Sequence, residues 1–394
     1  MWNFVSPRII FGEESLSGLE EITGNRALII TDQNLVEAGL VSRVTDKLSQ
    51  FGFETALFDK IEPDPNTLSI AEGAAVATKY QPDWIIGVGG GSPLDAAKAI
   101  WVIYENPEVQ PNEINPFVKL KLREKARLVT IPTTSGTGSE VTWAIVLTDP
   151  ETNRKIGLGN RENVADLALV DPVMASSMPP QLTADTGMDA LTHSIEGFIC
   201  TWHNDISEGL CLNAAREIFR YLPVAYEASQ SEQPDHEKYR QAREKMHNAA
   251  TSAGLGFGNA LSSLAHAMGH TLGALYHIPH GRAVGACLPY TIEFAARSEL
   301  LRIELMTSIL GIPIQNEGVG SALANAIRQL MHTIELPVRI SDLGIPEKDF
   351  ESDIQSLVEY SFNDAQILTA PRPPSYEELE KIFRYAYAGQ PVDF

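Results

Sequence analysis

The chain has 394 residues, 44% of them hydrophobic, and a formal net charge of −21. That is enough material for two cores, and no apolar run reaches the roughly 20 residues that cross a bilayer. The acidity argues against a nucleic-acid or anionic-membrane surface, and three cysteines without a CxxC pair suit reduced thiols in a cytoplasmic protein.

Met1 to Arg8 lacks a basic leader and an apolar stretch, so no signal peptide is expected. Trp2 to Phe11 reads as two short strands interrupted at Pro7, and such strands suit pairing across a homodimer or higher homo-oligomer. Ala27 to Thr31 is a short apolar run typical of a buried strand, with Asp32 at its C-terminal end. Asn34 to Gln50 has helical spacing and stops before Gly52. Thr55 to Phe58 is a second strand. The turn Glu62-Pro63-Asp64-Pro65-Asn66 leads into a helix through about Tyr80, and Trp84 to Gly87 is a third strand. Strands alternating with helices imply a parallel sheet with helices on both faces.

The third strand runs into Gly87-Val88-Gly89-Gly90-Gly91-Ser92-Pro93-Leu94-Asp95-Ala96-Ala97-Lys98, a glycine-rich turn that opens a helix. Missing Cβ atoms let an anion approach the backbone, and a helix start presents free N–H groups to it. A pyrophosphate needs that arrangement. The spacing is neither GxGxxG nor a Walker A loop; the plainer reading is a tight packing turn. Asp32 at the end of an early strand can accept hydrogen bonds from an adenosine ribose and repel a 2′-phosphate, which favours NAD over NADP. The alternative is a helix cap ahead of Asn34.

A fourth strand, Leu128 to Ile131, precedes the hydroxyl-rich run Pro132-Thr133-Thr134-Ser135-Gly136-Thr137-Gly138-Ser139-Glu140, suited to phosphate or ribose oxygens. Before that strand, the basic run Lys119, Lys121, Arg123, Lys125, Arg127 reads as a solvated connection, with anion binding as the lesser option. Val141 to Leu147, Arg154 to Leu158 and Leu167 to Val170 read as further strands. Lys155 either faces the nucleotide or is a plain exposed strand lysine.

From Pro179 onward alanine-, leucine- and glutamate-rich helical periods take over. Helices are expected near 186–199, 206–221, 237–253, 259–275, 318–334, 347–360 and 375–388. Ser229 to Asp235 reads as a surface connection, and Ser375-x-x-Glu378 as a capping box. The expected organisation is an α/β nucleotide-binding domain, 1–178, followed by an all-helical metal-binding domain, 179–394, with the ligand in the cleft between them.

The metal expectation comes from Gly187 to Gly281. Asp189 and His193 are four apart and share one helix face, and His266 and His270 repeat the spacing. His280 follows Pro279, which suits a turn or loop. Two helices and a loop can thus aim a carboxylate and three imidazoles at one point. Such a donor set suits Fe(II), Zn(II), Co(II) or Ni(II), and the lack of cysteine ligands argues against a purely structural zinc. His270 and His277 are left over as supports for a ligand, substrate contacts or proton relays.

Four motifs resemble the iron-containing (group III) alcohol dehydrogenases along nearly the whole chain. They are Gly89-Gly90-Gly91-Ser92-Pro93-x-Asp95-x-x-Lys98, Pro132-Thr133-Thr134-x-Gly136-Thr137, Gly187-x-Asp189-Ala190-Leu191-Thr192-His193-x-x-Glu196, and His266-x3-His270 leading to Pro279-His280-Gly281. The resemblance implies a Rossmann-like parallel-sheet domain followed by an all-helical one, as in dehydroquinate synthase. It implies metal ligands at Asp189, His193, His266 and His280, with Fe2+ expected and Zn2+ the alternative. It implies pyrophosphate contacts at Gly90, Gly91 and Ser92, grouped with Gly89 and Asp95. It further implies a ribose contact at Asp32, and Thr133, Thr134 and Lys155 near the cofactor. His270 resembles the family's histidine between metal and nicotinamide. One departure is Pro63-Asp64-Pro65 where many members carry Pro-Asn-Pro.

The expected reaction is reversible hydride transfer between a small primary alcohol or diol and NAD, with NADP as the alternative. The proton would leave to water through His270, His277 or a ribose hydroxyl. The rival is a zinc polyol-phosphate dehydrogenase or a dehydroquinate-synthase-like enzyme. Either needs basic residues near the metal, for which the second half offers only scattered candidates such as Arg282.

Overall fold

The computed structural model describes residues 3–150, 155–232, 236–314 and 318–394. The chain divides into two compact units, Asn3–Ser177 and Met178–Phe394, and each is described by itself.

The first unit is built on six parallel strands: β1 (Arg8–Phe11), β2 (Arg26–Ile30), β3 (Glu54–Phe58), β4 (Trp84–Gly89), β5 (Arg127–Pro132) and, after a separate hairpin, β8 (Leu167–Val170). The hairpin is β6 (Ala144–Thr148) against β7 (Lys155–Gly159), antiparallel. Four helices lie between strands: α1 (Gln33–Glu37), α2 (Leu40–Gln50), α3 (Thr67–Tyr80) and α4 (Gly91–Glu105). The strand order is β1-β8-β5-β4-β2-β3.

Burial on both faces explains the unbroken apolar runs of the central strands. Alternate residues enter different cores. Leu28, Ile30, Ile85 and Leu128 pack with Ile70, Ala77, Ile100 and Trp101 of α3 and α4. Their neighbours Ile29, Ile86, Val88, Val129 and Ile131 pack with Leu40, Val41, Val44 and Leu48 of α2.

The second unit contains nine helices among the described residues: α5 (Pro180–Ile199), α6 (Asp205–Gln230), α7 (Glu237–Gly258), α8 (Leu264–Tyr276), α9 (His280–Ala295), α10 (Leu300–Ile309), α11 (Val319–Thr333), α12 (Glu347–Phe362) and α13 (Tyr376–Ala388). One continuous apolar core runs through it. No helix of the described residues is long and apolar enough to cross a membrane.

Several expectations are corrected. Only β1 forms after Pro7, and Asn3 to Ser6 is not strand; Trp2, Arg154 and residues 233–235 lie outside the described residues. The 34–50 helix is two, because Gly39 takes φ 73 between them. Val141 belongs to a short 3-10 turn, so β6 begins only at Ala144. The 259–275 helix begins only at Leu264, after Leu261 at φ 77. Helices α9 and α10 were not foreseen. α9 was hidden by Pro279, which is its N-cap, and by Pro289 inside it, where burial of nearly the whole helix outweighs the lost hydrogen bond. The basic run is not simply solvated. Arg123 bonds Asp166 Oδ1 and the carbonyls of Glu162 and Val164, and Lys125 bonds those of Tyr104 and Glu105.

His247 on α7 is fully buried, and burial pushes it down to about 4. Its unfolded value is higher, about 6.5, so protons favour the unfolded chain. The stability present above pH 6.5 is therefore lost as pH falls from 6.5 towards 4, by about 3 kcal/mol at most. Urea unfolding followed by helical circular dichroism is expected to show this loss between pH 7 and 4 in the wild type, and a flatter profile in His247→Gln.

Candidate functional site

Asp189 and His193 lie one turn apart on α5, both buried. His266 stands in the first turn of α8, and His280 is the first residue of α9. His280 is thus held by a helix start and not by a loop, and three helices build the cluster. Asp189 Oδ1 has His193 Nε2 at 3.7 Å, His266 Nε2 at 3.7 Å and His280 Nε2 at 3.4 Å. The donor atoms of Asp189, His193 and His266 lie within 4.8 Å of one another. His280 closes the exposed side, with about a third of its side chain accessible.

Asp189 Oδ1 and His266 Nε2 are buried and make no hydrogen bond among the described residues. An orphaned buried acceptor facing imidazole nitrogens at these distances is unusual. Ligands about 2.1 Å from one tetrahedral cation stand roughly 3.4 Å apart, so the spacing fits a shared cation. Burial opposes a charge on Asp189, yet His193, His280 and His266 together hold its carboxyl below the usual carboxylate range. Burial also opposes a charge on His266, but with no cation between them Asp189 and Glu196 outweigh it and push that imidazole up to about 9; a cation on Nε2 would displace the proton of that nitrogen.

Close helix approach brings the three helices to one point. A Cβ on Gly281 would lie 2.0 Å from the Asp185 carbonyl oxygen, and one on Gly269 would lie 2.5 Å from Val284 Cγ1. Arg282 fastens the start of α9 to α5 by a fork on Asp185, at 3.0 and 2.9 Å. That guanidinium, the basic candidate for a phosphate-bearing substrate, is thereby committed to the fold.

Around the cluster, Phe257 stacks on His193 with centroids 3.8 Å apart. His270 stacks on His280 at 5.3 Å, and its Nδ1 meets Asp364 Oδ2 at 2.8 Å. His277 is the exposed C-cap of α8 at φ 54, unlike the buried Asp189, His193 and His266. Glu196 and Asp364 went unassigned from the sequence. Glu196 had a signal, lying three residues beyond His193 on the same helix face. Asp364 had none, since 94 residues separate it from His270.

In the first unit the chain steps outward from β2 to β3 and then crosses back to β4. The switch point of this sheet therefore lies between the C-terminal ends of β2 and β4, where open α/β sheets bind ligands. Asp32 stands at the end of β2 and Gly89 to Ser92 at the end of β4. Gly91 and Ser92 open α4, so their N–H groups have no carbonyl one turn behind them. The glycines also serve packing: a Cβ on Gly89 would meet Pro93 Cγ at 2.4 Å, and one on Gly91 would meet Thr137 Cγ2 at 3.0 Å. Asp32 caps α1 by accepting from Leu35 N at 3.1 Å. Thr133 N donates to the Gly89 carbonyl at 2.9 Å, and Thr134 flanks Gly90.

Two expected cofactor contacts have other partners. Asp95 Oδ1 accepts from Ser139 Oγ at 2.5 Å and from Lys98 Nζ at 3.3 Å, while Oδ2 accepts from Val146 N at 2.9 Å. Both oxygens tie α4 to the hairpin side of the loop. Lys98, fully buried, also bonds Thr142 and the Ala144 carbonyl, and burial lowers its pKa. Lys155 pairs with Asp64 at 2.8 Å.

Residues 6–172 match the family described as iron-containing alcohol dehydrogenase, and residues 183–387 match the Fe-containing alcohol dehydrogenase family, C-terminal. The chain is 38% identical to the NADPH-dependent butanol dehydrogenase of Clostridium saccharobutylicum over 100% of both chains. It belongs to the iron-containing alcohol dehydrogenase family. It is 33% identical to aldehyde-alcohol dehydrogenase 2 of Entamoeba histolytica over 98% of this chain but only 46% of that one, so it spans about half of such relatives. A solved 1,3-propanediol oxidoreductase superposes with TM-score 0.89 at 32% identity, over 98% of this chain and 100% of that one. The six-stranded parallel sheet followed by a helical unit is what the resemblance implied.

For this member of the iron-containing alcohol dehydrogenase family, Gly281→Ala is expected to push α9 away from α5. A stability loss of about 1–3 kcal/mol should follow in thermal melts. Weaker binding in a Co(II) titration should accompany it, because His280 moves with the helix start.

Proposed function

We propose that the chain is a metal-dependent, NAD(P)-linked alcohol dehydrogenase whose cation is held by Asp189, His193, His266 and His280. The observation that carries this is the buried Asp189 Oδ1, without a hydrogen bond among the described residues and ringed by three imidazole nitrogens at 3.4–3.7 Å. Fe2+ is the proposed ion, with Zn2+ as the alternative, since three imidazoles and a carboxylate accept either. When bound, the cation supplies Lewis acidity that lowers the pKa of an alcohol hydroxyl and polarises an aldehyde carbonyl.

The chain's own residues do the rest. The α4 start and the Gly89–Ser92 turn receive the dinucleotide's pyrophosphate, and Asp32 receives the adenosine ribose. His270, oriented through Nδ1 by Asp364, presents Nε2 for proton exchange with substrate or water. The commitment of Arg282 to Asp185 speaks against the polyol-phosphate and dehydroquinate-synthase-like readings, which need free cations for an anionic substrate. The proposed substrates are small primary alcohols, diols and their aldehydes. We further propose a homo-oligomer located in the cytoplasm, consistent with three buried, unpaired cysteines.

The test is metal analysis of anaerobically purified protein together with NADH oxidation against a panel of short aldehydes. His266→Ala is expected to lose stoichiometric metal and turnover together; turnover in metal-free variant protein would sink the assignment. The nucleotide is tested separately. Asp32 favours NADH, whereas the butanol dehydrogenase relative is named for NADPH. Asp32→Gly is expected to raise kcat/KM with NADPH about tenfold or more, the equivalent of removing roughly 1.4 kcal/mol of repulsion from a 2′-phosphate.

A further inference from the structure

Glu196 lies on α5 and is 2% exposed, a carboxylate that neither ligates nor faces solvent. Its two oxygens take three N–H groups. Oε2 meets His266 Nδ1 at 2.6 Å and Ser263 N at 2.9 Å, and Oε1 accepts from Ala265 N at 2.5 Å. Ser263 is the N-cap of α8 and makes no side-chain cap of its own. The first turn of α8 is therefore capped from another helix, by a residue seven positions after Asp189 and three after His193. One face of α5 thus carries two of the proposed ligands and the group that holds a third.

The consequence is chemical as well as mechanical. A neutral imidazole has one N–H and one lone pair, and the partner of one nitrogen decides the state of the other. An ionised carboxylate only accepts, so Nδ1 must carry the proton and Nε2 must present its lone pair. Nε2 is the atom 3.7 Å from Asp189 Oδ1. The backbone bonds from Ser263 and Ala265 keep Glu196 in place, so the ring is fixed in tautomer and in rotation.

We infer that Glu196 is a positioning residue that holds His266 as the Nδ1–H tautomer, with Nε2 aimed at the cation site, while capping α8. This rests on the four-ligand reading proposed above. Glu196→Gln removes the carboxylate charge behind Nδ1 in either amide flip. With the amide nitrogen in the Oε2 place it donates to Nδ1, moves the imidazole proton to Nε2, where a cation would bind, and leaves Ser263 N–H without its acceptor; with the oxygen there, Ala265 N–H loses its acceptor.

The experiment is chelator-competition titration of Co(II) into wild type, Glu196→Gln and Glu196→Asp, with the visible Co(II) spectrum and the melting of the metal-free proteins recorded alongside. The expected result for Glu196→Gln is affinity weaker by about 10–100-fold, a changed Co(II) spectrum, and a metal-free melt lowered only by the loss of one backbone bond at the start of α8. Glu196→Asp should recover part of the affinity, because it restores an acceptor-only group. Wild-type affinity and spectrum in Glu196→Gln would overturn the inference. If that variant does not fold, long-range proton–nitrogen spectra of 15N-histidine-labelled, Zn(II)-loaded wild type decide: a proton on His266 Nδ1 supports the inference, and zinc on Nδ1 overturns it. A wild type that binds no cation overturns the four-ligand reading itself, an outcome seen in a different sample from a failure specific to Glu196.

Discussion

A carboxylate oxygen buried in a helical unit, with no hydrogen bond among the described residues, is the constraint on which the rest depends. Burying the charge of Asp189 is costly unless something of opposite sign stands against it. Here His193, His266 and His280 turn nitrogen atoms towards that oxygen from three helices. Such convergence demands backbones in close contact. Gly281 and Gly269 occupy the crossings where a methyl group would strike a neighbouring helix, and the Arg282–Asp185 fork locks the start of α9 against α5.

Both units place part of the proposed sites at helix starts. In the sheet unit, the Gly91–Ser92 turn of α4 leaves N–H groups open at the switch point. In the helical unit, His266 and His280 occupy the first turns of α8 and α9. A helix start is geometrically defined, leaves backbone donors unpaired, and needs an external acceptor. Glu196 answers that need for α8 and uses the same carboxylate to orient His266. Asp95 and Lys98 do comparable work for α4. They are a buried pair bonded to Ser139, Thr142 and the backbone of β6, and they fasten the glycine turn to the segment behind it.

These supporting pairs also show how residue type and role come apart. Asp32, Asp95, Glu196 and Asp364 are all carboxylates near proposed sites. Asp95 has both oxygens engaged by its own unit, whereas Asp32 caps a helix with one oxygen at the end of β2. Glu196 and Asp364 each meet a histidine Nδ1 and each cap a helical turn, but Asp364 caps the 3-10 turn that follows it, whereas Glu196 caps α8 from another helix and is more deeply buried.

By itself the sequence determined the strands of the parallel sheet, the glycine turn after β4, the change to helices after Pro179 and the metal candidates. Those features depend on local patterns: apolar runs, glycine clusters and residues four apart on one helix. The tertiary structure decided what depends on long-range packing. It made α9 a helix despite two prolines, because burial of its surface outweighs a lost hydrogen bond. It left His277 exposed at the end of α8 while bringing His280 to Asp189. It also gave Asp95, Lys155 and Arg282 partners far along the chain, and it joined His270 to Asp364 across 94 residues. No periodicity encodes such pairings, since they exist only once the helices have packed.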